Sequence, residues 1–168
     1  MALNVEFQDF SMEVKAELNE TTIAWLHTWA EEIESHAKRN CSTGEDYSSQ
    51  LRGSYKHGVN ETKGIAEIYS ELEQAFWEEF GTGEHADTSK NGGKEGRKGW
   101  WVYKDGYQGK GGPVLTEAEA KAIEASSDGS VHATNGRDPN YTLEKAYLAN
   151  KEKAKRDLET KLGVRLGK

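Results

Sequence analysis

Residues 71–83 read Glu71-Leu72-Glu73-Gln74-Ala75-Phe76-Trp77-Glu78-Glu79-Phe80-Gly81-Thr82-Gly83, and the reading of this stretch orders everything around it. Leu72, Ala75, Phe76, Glu79 and Phe80 recur at helical spacing, which predicts a helix over 71–80 with these side chains turned inward. Phe76 and Phe80 are four apart, so they share one face and are expected to be buried together. Gly81 and Gly83 then end the helix, because glycine enters the left-handed conformation at little steric cost. This short helix divides two strand-like regions. Upstream, residues 51–59 alternate, with Leu51, Gly53, Tyr55 and His57 on one side. A turn cluster over 60–64 and a second strand over 65–69 complete a β-hairpin. Downstream, Trp100-Trp101-Val102-Tyr103 is the strongest strand signal in the chain.

The ends read as long helices. Residues 11–40 carry Ile23, Leu26, Ala30, Ile33 and Ala37 at spacings of three and four, a single apolar stripe flanked by Trp25 and Trp29. Asn19-Glu20-Thr21-Thr22 marks a possible break, and Val5-Glu6-Phe7 a short edge strand before it. Thr116 and Glu119 form a capping box that opens a helix over 116–125. Asp138-Pro139 reads as N-cap and first helical residue of the last helix, which carries Leu143, Tyr147, Ala154, Leu158 and Leu162 and ends at Gly163. Residues 84–99 and 109–137 are polar, glycine-rich loop insertions, and Tyr107 a candidate start of a returning strand. The expected architecture is α+β: an antiparallel sheet packed against a long N-terminal helix and a C-terminal helix, in one domain over 1–168.

Composition narrows the function classes. At 168 residues the chain is long enough for one domain with a real core. Only 35% of residues are hydrophobic, 30% are charged and mean hydropathy is −0.89, so that core is modest and the loops are solvated. Five Trp, seven Tyr and four Phe exclude a fully disordered chain. The net charge of −7 argues against whole-chain nucleic-acid binding, where neutralising phosphate requires a basic excess. Charge is also uneven: residues 1–40 hold eight acids and three bases, residues 141–168 four acids and eight bases. An acidic first segment and a basic last one attract each other, within a subunit or between neighbours. No apolar run reaches the length of a membrane span, and residues 1–10 lack the basic start of a signal peptide, so synthesis in the cytoplasm is expected. A single cysteine, Cys41, excludes an internal disulfide and a cysteine zinc site.

Chemistry-bearing patterns are sparse. His27, His36, His57, His85 and His132 form no His-Glu-x-x-His pair. His85 and Asp87 sit two apart in a polar loop, short of the three or four ligands a metal needs. Gly92-Gly93-Lys94 is followed by Glu95, so the hydroxyl of a phosphate-binding loop is missing. No Gly-x-Ser-x-Gly elbow supports a Ser-His-Asp triad. Glu31-Glu32 and Glu78-Glu79 are neighbours expected to face different sides of their helices, giving no focused acid–base pair. The sequence reads as a non-enzyme with no catalytic residues, no cofactor and no metal.

Four segments carry a family resemblance. They are Ala37-Lys38 at the end of the first helix, Thr43-Gly44 with Leu51-Arg52-Gly53-Ser54, then Phe76-Trp77-Glu78-Glu79-Phe80-Gly81-Thr82-Gly83, and finally Asn135-Gly136-Arg137-Asp138-Pro139 followed by Leu143 and Ala146. In order and spacing the chain resembles the head–tail joining or tail-completion proteins, also called minor capsid proteins, of long-tailed bacteriophages. The 84–99 stretch and the helix over 116–125 depart from that pattern. The resemblance implies a structural virion component of the phage neck. It implies a homo-oligomeric ring, six subunits being the expected number, between the capsid connector or stopper proteins and the tail terminator or tail-tube protein. DNA only passes through the channel, and no membrane is involved. The candidate interface residues are Phe76, Trp77, Glu79, Phe80, Gly81, Thr82 and Gly83 of the motif, with Trp100, Trp101 and Tyr103 of the aromatic strand. The acidic first helix and the basic last helix are the expected two sides of the subunit contact. Two readings compete: a soluble binding module that presents the aromatic strand to a peptide or glycan, and a small hydrolase.

Overall fold

The computed structural model describes residues 11–42, 48–93, 95–104 and 112–165; the expected strand at 5–7, Thr43-Gly44 and Tyr107 lie outside them. In chain order come α1 (Ser11–Asn40), α2 (Ser48–Ser54), β1 (Lys56–Asn60), β2 (Ile65–Tyr69), α3 (Glu73–Phe80) and β3 (Thr82–Gly83). They are followed by β4 (Trp101–Lys104), α4 (Glu117–Ser126), β5 (Val131–Thr134), β6 (Gly136–Arg137) and α5 (Thr142–Arg165). The fold is α+β, as expected. In place of one sheet, the described residues form three two-stranded antiparallel ribbons: β1–β2, β3–β6 and β4–β5.

α1 and α5 are the two long supports. α1 contains neither glycine nor proline, and it continues as one helix through Asn19-Glu20-Thr21-Thr22 where a break was expected. α5 runs back along it. The Trp25 indole N–H donates to the Ala154 carbonyl at 2.9 Å and that of Trp29 to Asp157 Oδ2 at 2.8 Å. Further along, Asn150 meets His36 at 2.8 Å and Asn140 donates to the Asn40 carbonyl at 2.8 Å. The acidic and basic helices therefore face each other within one chain. Ala30, Ala37, Ala146 and Ala154 are buried along these helices together with Trp29. Tyr147 does not join this stripe. It is 50% exposed, and Ala146 and Asn150 take the inward positions.

The hairpin packs on the other side of α1. His57 of β1 reaches Glu34 at 2.5 Å, and Ala66 and Ile68 alternate inward while Ile65 and Tyr69 point out. Lys56 pairs with Tyr69 and Asn60 with Ile65, so Glu61 to Gly64 form the turn, with Gly64 at φ +62°. Residues 51–54 are helical in α2, where a strand was expected. Leu51 and Tyr55 are four apart, a spacing that strand alternation and one helical turn both satisfy. The helical turn buries both, to 1% and 0% exposure. They join Ala37, Cys41, Ala75 and Ala146 in the core, with Ile33 and Leu143 packed against it.

Three further boundaries differ from expectation. The 126–137 stretch, read as loop, supplies β5 and β6. α5 begins at Thr142 instead of Asp138, because Tyr141 adopts φ +51° and cannot lie in a right-handed helix. Gly163 does not stop α5, which continues to Arg165; an interior glycine costs only about 1 kcal/mol relative to alanine. The capping box forms as expected: Thr116 accepts from the Glu119 N–H and Glu119 accepts from the Thr116 N–H.

Candidate functional site: a buried carboxylate junction and an aromatic ribbon

α3 turns Ala75, Glu78 and Glu79 inward, at helical spacings of three and four, so its buried face is acidic. This corrects the expectation of an aromatic inner face. Phe76 is 37% exposed and Phe80 half-buried, and the two rings pack against each other at 4.9 Å beside the core. Trp77 is half-buried as well.

Glu78 is 1% exposed. Its Oε1 accepts hydrogen bonds from the Ser42 N–H and hydroxyl, both at 2.8 Å, from the Asn140 amide at 2.6 Å and from the Thr142 hydroxyl at 3.1 Å. The Arg137 guanidinium lies 3.1 Å from Oε2. Burial opposes the charge, but the Ser42 N–H, Asn140 and Arg137 outweigh it and hold the carboxyl below its ordinary range. Beside it, the Tyr55 phenol is pushed up by burial and by the nearby Cys41, Glu78 and Glu79, so it stays neutral. Glu79 faces the start of α5 instead, where its two oxygens accept from the Leu143 N–H at 2.7 Å and the Glu144 N–H at 3.0 Å. Both acids lie on the buried face of α3, where different helix faces were expected, and they meet different partners there: Glu78 the Ser42, Asn140 and Thr142 donors and Arg137, Glu79 the first amides of α5. The junction thus holds the end of α1, α3 and the entry to α5 together.

The glycines of the motif serve the same junction. Gly81 has φ +73° and Gly83 φ +60°, and both are buried. A Cβ on Gly81 would lie 2.6 Å from the Arg137 carbonyl, and one on Gly83 would lie 2.0 Å from that of Asn135. Thr82 pairs with Arg137 and its hydroxyl accepts from the Arg137 N–H at 3.1 Å. The 84–99 loop is tied to the same place. The Tyr141 hydroxyl donates to Asp87 at 2.8 Å, Lys90 meets Glu144 at 2.6 Å, and His85 meets Asp138 at 2.8 Å.

The other candidates form a second group. Trp100, Trp101 and Tyr103 lie on or beside β4, the tryptophans half-buried and Tyr103 41% exposed. The tip of the Trp101 ring lies against Gly83, where a Cβ would come within 2.7 Å of it. Trp100 is bridged to Leu115. Among the described residues no group of three or more His, Cys, Asp or Glu side chains is placed to hold a metal, and no helix is long and apolar enough to cross a membrane. Sequence reading did not single out Ser42, Arg137, Asn140 or Thr142 as partners of Glu78. The available signal was the spacing of Ala75, Glu78 and Glu79, which places both acids on the face that α3 buries. No family model, curated protein or solved structure matches this chain.

Proposed function

We propose that the protein is a structural component of a phage virion, a tail-completion or head–tail joining protein. It would form a ring at the neck between the capsid connector and the tail tube, after synthesis in the host cytoplasm. One observation carries this reading. The most specific segment of the resemblance, Phe76 to Gly83, packs backbone against backbone at Gly81 and Gly83 with its last segment, Asn135 to Pro139. Ala37 and Leu51, from two further segments, share a core with Ala75, the residue before Phe76. Motifs far apart in sequence that require each other in space behave as one fold signature. The use of Glu78 and Glu79 to join α1, α3 and α5 also suits a scaffold.

Because α1 and α5 cover each other within the chain, subunits of the ring would meet through other faces. The exposed side of the hairpin, with Ile65 and Tyr69, and the outer side of α5, with Tyr147 and Leu148, are apolar surfaces of that kind. A ring uses one heterologous contact repeated around its axis. Light scattering and negative-stain microscopy of the purified protein, alone and with connector and tail-tube proteins, test this. Closed rings or co-assembly at a connector support it, and a chain that stays monomeric beside both partners overturns it.

A further inference from the structure

The β1–β2 hairpin is covered on one face and open along both edges. Its inner face lies on α1, where His57 meets Glu34 at 2.5 Å and Glu61 of the turn meets His27 at 3.2 Å. Ala66 and Ile68 turn to the same side. Among the described residues β1 and β2 pair only with each other, and no backbone hydrogen bond joins either strand to another element. The N–H and C=O groups that point away from the hairpin form an edge of the kind that accepts a further strand. Neither strand contains a proline that would blunt it.

The outer face carries opposite charges on its two strands. Ile65, Glu67 and Tyr69 of β2 are exposed, and register sets Asn60, Gly58 and Lys56 of β1 opposite them on that face. Lys56 and Glu67 are both exposed and make no ion pair among the described residues. We infer that the hairpin joins neighbouring copies of this chain by strand addition, the β1 edge of one subunit pairing antiparallel with the β2 edge of the next. The inference rests on the neck-ring reading and names the surface through which its subunits meet. Charge selects these edges. β2 on β2 in full register sets Glu67 against Glu67, and like charges directly opposite are destabilising. β1 on β1 brings no opposite charges together. β1 on β2 brings Lys56 of one copy opposite or diagonal to Glu67 of the next, about 5–8 Å apart at the Cβ atoms and within side-chain reach. Pairing of unlike edges is heterologous and leaves a free edge at each end, so it repeats until a ring closes, whereas like edges stop at a dimer.

The test is the particle size of the full chain, with connector and tail-tube proteins added where it does not assemble alone. Glu67→Lys and Lys56→Glu, both at exposed positions, should each keep the wild-type melting temperature and reduce assembly at least about tenfold. The double variant K56E/E67K should assemble again. An equimolar mixture of the two single variants should do so as well, because alternating copies place unlike charges at every contact. In assembled wild type the amides of β1 and β2 should exchange at least about tenfold more slowly than in the monomer. Single variants that assemble like wild type, a mixture that stays dispersed, or hairpin amides whose exchange is unchanged by assembly overturn strand addition and leave the ring reading standing. A wild-type chain that stays monomeric beside both partners overturns both.

Discussion

The Glu79 carboxylate caps a helix that lies more than sixty residues further along the chain: its Oε2 accepts from the Leu143 N–H at 2.7 Å and its Oε1 from the Glu144 N–H at 3.0 Å. A negative charge at a helix N-terminus faces the positive end of the dipole, and two otherwise orphaned donors are satisfied. Glu79→Ala is therefore expected to cost about 2–3 kcal/mol, read as a lower urea midpoint at constant m value. Glu79→Gln keeps one acceptor and should cost about half as much. A loss below about 0.5 kcal/mol for the alanine variant would show that α5 is capped some other way.

Glu78 gives the fold an acid-sensitive centre. Its carboxyl is held below the ordinary value of 4.5, so the stabilisation is fully present above pH 4.5 and is lost as pH falls through the lowered folded value. Glu78→Gln removes the ion pair with Arg137 and should cost about 3 kcal/mol at neutral pH. The gap between wild type and variant should narrow as the solution is acidified below pH 4.5. A gap that stays constant down to pH 2 would mean that Glu78 is not charged in the fold.

Two glycines with similar backbone angles should respond differently to alanine. Gly64 has φ +62° with nothing within 4 Å of a would-be Cβ, so Gly64→Ala costs only the left-handed conformation, about 1 kcal/mol. Gly83 has φ +60° and a Cβ there would meet the Asn135 carbonyl at 2.0 Å and the Trp101 ring at 2.7 Å. Gly83→Ala should cost at least about 3 kcal/mol or prevent folding. Equal thermal shifts for the two variants would contradict the packing of β3 on β6.

The aromatic pair of α3 separates in the same way. Phe80 is half-buried, so Phe80→Ala should cost about 1–2 kcal/mol instead of the 3–5 typical of a fully buried ring. Phe76, 37% exposed, should cost less than about 1 kcal/mol. Chemical denaturation of both variants orders them, and a Phe76 loss larger than that of Phe80 would reverse the assignment of faces.

His85 places both ring nitrogens against oxygens, Nδ1 at 2.8 Å from Asp138 and Nε2 at 3.2 Å from Asn135. The Asn135 amide donates to Glu84, which fixes its oxygen toward the imidazole. Asp138 first, then Asn135, raise the His85 pKa above 6.5. The contribution to stability is complete below pH 6.5 and disappears as pH rises through the raised folded value. A histidine titration followed by NMR should show a His85 midpoint above 6.5 that falls in Asp138→Asn. An unshifted His85 midpoint would remove this link between the 84–99 loop and the entry to α5.

The sequence showed the large elements because their signals are local. Hydrophobic spacing marked α1 and α5, the turn cluster at 60–64 marked the hairpin, and the Thr116–Glu119 box marked α4. Other features depend on partners far away in the chain. Leu51 and Tyr55 fit helix and strand equally, and only packing on Ala37 and Ala75 decides between them. β5 and β6 carry no strand signal of their own and are set by β4 and β3. The Asp138-Pro139 start signal for α5 was overridden by Tyr141 and by Glu79, whose cap requires the helix to begin at Thr142. Phe76 and Phe80 outranked Glu78 on hydrophobicity, yet Ser42, Asn140, Thr142 and Arg137 make the glutamate the residue that is buried.

The pairing of α1 with α5 also sets an order of events during folding. Ala37 and Ala146 share one core, and Glu78 and Glu79 draw their donors largely from residues 137–144. A nascent chain that has not yet released α5 can form the β1–β2 hairpin and the capped α4, which need only near neighbours. It leaves two carboxylates on α3 without most of their partners and the apolar side of α1 uncovered. Contacts so distant in sequence close late and slow the overall reaction. Docking of α5 on α1 and α3 is then the step that locks these elements together.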